Sequence, residues 1–146
     1  MLITVNSAVL FLKMKNFLFL VFAICSFSSF AQSKELKTYY ENGAIKSAYA
    51  YSDASNYEVT NYFNNGKVME AGKFVNGKMD GIWISYNANG TRAGEAVYHN
   101  GEKTGDWKIY NETGSLRYKI TYANNRILNA TNFDESGNSI AVTKTH

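Results

Sequence analysis

The residues of this chain that could do chemistry are two histidines, one cysteine and a recurring set of carboxylates. His99 stands beside the dipeptide Asn100-Gly101, and His146 is the last residue. A nucleophilic triad needs an acid and a nucleophile held to the imidazole, and a metal site needs further ligands at short fixed spacing. Neither histidine has such neighbours in sequence. Glu70, Asp80, Glu95 and Asp106 recur along the chain. Two facing carboxylates are what glycoside hydrolysis requires, but acids spaced at intervals along exposed strands and turns are more simply a solvated face. Cys25 follows Ile24 directly, whereas a lipid-anchored cysteine needs small residues before it. The glycines resemble a phosphate loop only superficially, because none leads into a helix. The chain therefore reads as a non-enzyme, with no catalytic residue, metal ligand or cofactor expected.

What positions these residues is a repeat. Gly43, Gly66, Gly90, Gly114 and Gly137 follow one another at steps of 23, 24, 24 and 23 residues. An aromatic stands four positions before each, at Tyr39, Tyr62, Tyr86, Tyr110 and Phe133. Another stands eight positions after the first four, at Tyr51, Phe74, Tyr98 and Tyr122. Trp83 and Trp107, the only two tryptophans, each lie seven positions before a marker glycine. Further glycines recur at Gly77 and Gly101 and at Gly81 and Gly105. The outer units decay: Leu36, Val59 and Ala130 take the tryptophan position, and Ala54 and Asn125 take the position of Gly77. Such decay is expected of the ends of an array, which have a neighbour on one side only.

Each unit holds two runs of period two, such as Leu116, Tyr118, Ile120 and Tyr122 alternating with polar residues. That is the pattern of a half-buried strand. Asn-Gly pairs at 42–43, 65–66, 76–77, 89–90 and 100–101 separate the runs. Asn-Gly is the strongest short hairpin signal, because a type I′ turn needs positive φ at both central residues. No proline interrupts a ladder. The expected fold is all-β: antiparallel hairpin repeats of about 23–24 residues forming an elongated single-sheet meander. A two-residue turn at Asn76-Gly77 would pair Phe74 with Met79, Gly72 with Gly81 and Glu70 with Trp83. The next unit would set Ala96 against Gly105 and Gly94 against Trp107. Facing glycines would leave a bare strip for an aromatic ring to cover. The turn after Tyr51, in a stretch reading SDASN, should differ from the others.

The pattern Gly72-x-Phe74-x-x-Gly77-x-x-x-Gly81-x-Trp83 resembles the membrane-occupation-and-recognition-nexus (MORN) repeat. With its Tyr86-Asn87-Ala88-Asn89-Gly90 lead-in, it looks most like the bacterial variant found in antitoxin-like proteins. The resemblance runs roughly over 36–140 and is strongest at 62–114. Ala96 in place of a glycine is a departure, as is the missing tryptophan of the first and fourth units. The resemblance implies strung antiparallel hairpins and a binding role, with antitoxin or immunity function as one instance.

Residues 1–31 read as a secretory signal. Lys13 and Lys15 precede the apolar run FLFLVFAIC, and Ser29 and Ala31 offer a small-residue cleavage site before Gln32. Met14 is then the expected start. The run is shorter than the about 20 apolar residues that span a bilayer. Residues 32–146 form one domain by length. Without Lys13 and Lys15, 13 basic residues face 12 acidic ones, and they are scattered. That balance indicates neither nucleic acid nor a membrane surface as partner. The expected localisation is secreted or periplasmic, in a bacterial envelope. A meander uncovered by helices would carry Trp83, Trp107, Phe74, Tyr98 and Tyr122 on one face. Tyr62, Tyr86 and Tyr110, three residues from the tryptophan column, would point to the other unless a bulge intervenes. Exposed aromatic patches mark partner sites. Tyr62, Trp83, Tyr86, Trp107 and Tyr110 are therefore the candidate residues for contact with a protein partner. Self-association as a structural envelope protein, a homo-oligomer, is the alternative.

Overall fold

A computed structural model describes residues 34–144, with side chains to Ala141. The stretch read from the sequence as a secretory signal, its expected cleavage site and His146 lie outside the described residues. Eleven strands follow one another: β1 (Lys34–Tyr39), β2 (Ile45–Tyr51), β3 (Tyr57–Tyr62), β4 (Val68–Val75), β5 (Lys78–Tyr86), β6 (Arg92–His99), β7 (Glu102–Lys103), β8 (Gly105–Tyr110), β9 (Leu116–Ala123), β10 (Arg126–Phe133) and β11 (Ser139–Lys144). They form one open antiparallel sheet in sequence order, in which β7 and β8 share one place beside β6. The all-β hairpin meander read from the sequence is the fold.

Two kinds of turn alternate. At Asn76-Gly77, Asn100-Gly101 and Asn124-Asn125 both central residues have positive φ, between 47° and 85°. That is the type I′ signature, and asparagine serves where the glycine is lost. The other Asn-Gly pairs do not share it. Gly43, Gly66 and Gly90 have positive φ and the asparagines before them do not. The Gly66 N–H donates to Phe63 O at 2.9 Å and the Phe63 N–H to Lys67 O at 2.8 Å. These are wider turns closed by a glycine bulge. Their asparagines do another job: Asn65 Oδ1 accepts from the Lys67 N–H at 3.0 Å, and its amide donates to Ala88 O of the next turn at 3.2 Å. Asn89 repeats the pair of bonds with Thr91 N–H and Glu112 O. On the opposite edge the Gly101 N–H donates to Met79 O at 2.8 Å and the Asn125 N–H to Lys103 O at 3.0 Å. From the 42–43 turn to the 124–125 turn, hairpin ends on each edge are thus bonded to their neighbours. The first narrow turn differs as expected: Asp53 Oδ1 accepts from the N–H groups of Ser55 and Asn56, at 2.9 Å each.

The facing-glycine register is corrected by the structure. Phe74 does pair with Met79, but Ala71 pairs with Ile84 and Glu70 with Ser85, not Trp83. Gly81, Ile82 and Trp83 stand against Gly72 alone. The bulge turns on Gly81, whose φ is +78°, a conformation costly for a side-chain-bearing residue. Likewise Gly94 faces Ile109, not Trp107, and Gly105 has φ +62°. The β2–β3 pair, whose tryptophan position is Val59, has no such shift.

Candidate functional site

The bulges place the indoles. Each tryptophan folds back over the preceding strand, and its N–H donates to a carbonyl there: Trp83 to Lys73 O at 3.3 Å, Trp107 to Val97 O at 3.0 Å. A Cβ on Gly72 would overlap the Trp83 ring carbons. The absent side chain is therefore the space the indole fills. From Tyr49 to Tyr122 the rings form one unbroken row through Tyr51, Tyr57, Phe74, Trp83, Tyr98 and Trp107, with centroids 4.8–6.4 Å apart. Lys103 completes it with its ammonium 4.8 Å from the Trp107 ring centroid.

Burial on this face is shallow. Among the described residues only Val59, Trp83 and Ser47 are buried, Trp83 at 8% exposure. A polar row runs beside the rings: Ser47 donates to Asn61 Oδ1 at 2.7 Å, and the Asn61 amide to Glu70 Oε1 at 2.8 Å. Ser85 and Gly94 continue it, and Ile109 and Tyr118 follow. These last two are a cross-strand pair, 42% and 44% exposed. Between the two tryptophans the row sinks, because Ser85, Gly94 and Ala96 are small. The result is a recess of about 310 Å³, bordered also by Glu70, Tyr98 and Ile109.

The other face is charged. Glu95 accepts from Arg92 at 2.8 Å and Lys108 at 3.1 Å. Asp106 meets Lys119 at 2.9 Å and the Thr121 hydroxyl at 2.7 Å. Tyr62 and Tyr86 line a shallow depression here with Thr60 and Ala71. Tyr110 follows a register shift after Ile109 and lies near Lys108, whose ammonium it acts on after Glu95. The five candidate residues thus divide: Trp83 and Trp107 stand together, while Tyr62, Tyr86 and Tyr110 lie across the sheet and cannot join them in one contact. The residues between the tryptophans were missed because they vary from unit to unit. Asn61, Ser85 and Ile109 occupy one repeat position, and Glu70, Gly94 and Tyr118 another.

His99, without a neighbour by sequence spacing, gains one from the fold. Its Nδ1 lies 3.3 Å from Asp80 Oδ2, which also accepts the Asn100 N–H at 3.0 Å. The imidazole is largely exposed, and the carboxylate is held below its ordinary pKa first by the Asn100 N–H. This is a turn clasp between adjacent hairpins.

Hydrogen bonds from Lys119 and then Thr121 hold the Asp106 carboxyl below the usual range. A depressed acid stabilises the fold above its unfolded pKa and loses that contribution as pH falls through the folded value. Thermal stability should therefore decline as pH drops below about 5, and Asp106→Asn should make that decline shallower. Melting temperatures of both proteins from neutral to acidic pH check this; parallel curves would show that the pair contributes nothing. The effect should be small, as for most exposed pairs.

No curated protein matches the chain. Crystal structures of TarM resemble part of it. One, of an S. aureus TarM mutant in complex with Fondaparinux, alpha-GlcNAc-glycerol and UDP, is 11% identical with TM-score 0.44, over 66% of this chain and 21% of that one. A second is 12% identical with TM-score 0.41, over 66% and 20%. The chain spans about a fifth of their length. The family model described as the MORN repeat variant matches residues 33–53, 79–100 and 103–124. Those segments include the first unit, which lacks both the tryptophan and the second glycine. Hairpin after hairpin, with each indole laid over the strand before it, the chain is similar to the MORN repeat variant over those three segments.

Proposed function

We propose that this is a non-catalytic, exported binding protein whose ring-bearing face, at β5 to β9, docks a protein partner. The observation that carries the reading is the exposed Ile109–Tyr118 pair beside the recess between Trp83 and Trp107. Large apolar and aromatic groups, half wetted and next to a concavity, are the composition of an interface centre. The opposite face carries instead the ion pairs of Glu95 and Asp106. Neutralisation of a toxin in the envelope would be one instance of such docking.

The test is the double substitution Ile109→Ser, Tyr118→Ser, with fold checked by circular dichroism. Crosslinking in envelope extract followed by identification of the captured protein should give a discrete partner with the native chain. The folded variant should recover it at least about tenfold less, the equivalent of 1.4 kcal/mol. Equal recovery would reject this face as the docking surface. Light scattering addresses self-association: a dimer dispersed by the same substitutions would identify a second copy as the occupant.

A further inference from the structure

We propose that the recess between Trp83 and Trp107 receives a basic side chain, arginine or lysine, presented by the protein partner; this rests on the docking reading above and adds the chemistry of what is docked. Two acids line the recess, and one of them, Glu95, is already paired with Arg92 and Lys108. The other, Glu70, lies on its border, half-buried, with Oε1 accepting from Asn61 at 2.8 Å. Among the described residues no cation pairs with it, whereas Glu95, Asp106 and Asp80 each have a partner. Its charge reaches the recess: the Tyr98 hydroxyl is pushed above its ordinary pKa by burial first and by Glu70 next. Lys108, which lines the recess, is engaged by Glu95, and Lys103 lies on the rings of Trp107 and Tyr122.

Consider the two kinds of guest. An apolar side chain would strip water from Glu70 and leave its charge without a partner, which is unfavourable. A guanidinium or ammonium would pair with the carboxylate and lie among ring faces, where cations are attracted by the ring quadrupole. Lys103 shows that this ring row accommodates an ammonium. One repeat earlier the same position is Met79, which borders the recess and brings no charge of its own. The volume, about 310 Å³, is at the lower limit for ligand pockets and suits one long side chain.

The probe is an acetylated, amidated tripeptide with arginine between two alanines, set against the same peptide with citrulline, which keeps the shape and removes the charge. The two indole N–H resonances report occupancy, since the chain has only two tryptophans. The arginine peptide should shift both saturably, and the citrulline peptide should bind about tenfold more weakly. Glu70→Gln, which keeps the acceptor for Asn61, should reduce the arginine peptide to the citrulline level. If that variant does not fold, the native protein decides: the arginine advantage should shrink at about 1 M salt, where exposed charges are screened. No saturable shift, equal affinity of the two peptides, or an arginine affinity unchanged by folded Glu70→Gln would overturn the proposal. So would saturable shifts with maltohexaose and none with the arginine peptide, which would make the recess a glycan site. Capture of the partner separates the two readings. If it is lost on Ile109→Ser, Tyr118→Ser yet intact in Glu70→Gln, only the basic guest fails; if it is intact in both, the docking face fails too.

Discussion

Trp83→Ala should destabilise the fold by about 3–5 kcal/mol, the range for deleting a buried aromatic. Trp107→Ala, the same change one repeat later, should cost less. Trp83 is among the few buried side chains, packs edge-on against Phe74 and Tyr98 at 5.2 and 6.4 Å, and covers the Gly72 backbone. Its removal bares that backbone and deprives the Lys73 carbonyl of its indole donor. Trp107 is half-buried, so less surface is lost. Trp83→Phe should separate the contributions, because it keeps most of the ring and deletes only a hydrogen bond worth about 1 kcal/mol. Urea unfolding is the measurement. A repeat array can lose cooperativity, so the m-value must be compared as well as the midpoint. Equal losses at the two tryptophans would show that burial does not rank them.

Gly72→Val should cost about 3 kcal/mol, at the upper end for overpacking. Gly72 does not have positive φ, so the change introduces no backbone strain and isolates the collision with the Trp83 ring. Gly72→Ala should cost less, because it sets one carbon rather than three against the Trp83 ring. The diagnostic is coupling: in the Trp83→Ala background, Gly72→Val should become nearly neutral, since the space is then empty. Additive losses would mean that something other than the ring requires glycine here.

The repeat, the hairpins and the side-chain faces were legible in the sequence because each has a short-range cause. Asn-Gly marks where the chain reverses, and period two dictates the faces. Strand partners beyond the bulge were not legible, for a specific reason. The bulge at Gly81 shifts the pairing by two residues. A shift of two restores the alternation, so Phe74 and Trp83 remain on one side while every partner changes. Only the positive φ inside β5 distinguishes the two registers, and a glycine in a strand is equally consistent with close packing. The dual use of Asn-Gly was hidden similarly: at 65–66 and 76–77 the same dipeptide makes different turns, with positive φ at Gly66 alone in the first and at both residues in the second. The clasp between His99 and Asp80 joins consecutive hairpin ends, a proximity that no spacing rule for catalytic sites contains.

Each strand is hydrogen-bonded only to neighbours close in sequence. The order of synthesis is therefore also the order in which a growing sheet can assemble. A newly emerged hairpin finds its docking edge already made, and no pairing has to wait for a distant segment. Chains built from such local pairings fold faster than sandwiches, whose partners lie far apart. They also spend less time with a hydrophobic strand unpaired, the species from which aggregates grow. For a protein with so little buried surface, that brief exposure guards the chain at the stage when its thin core cannot.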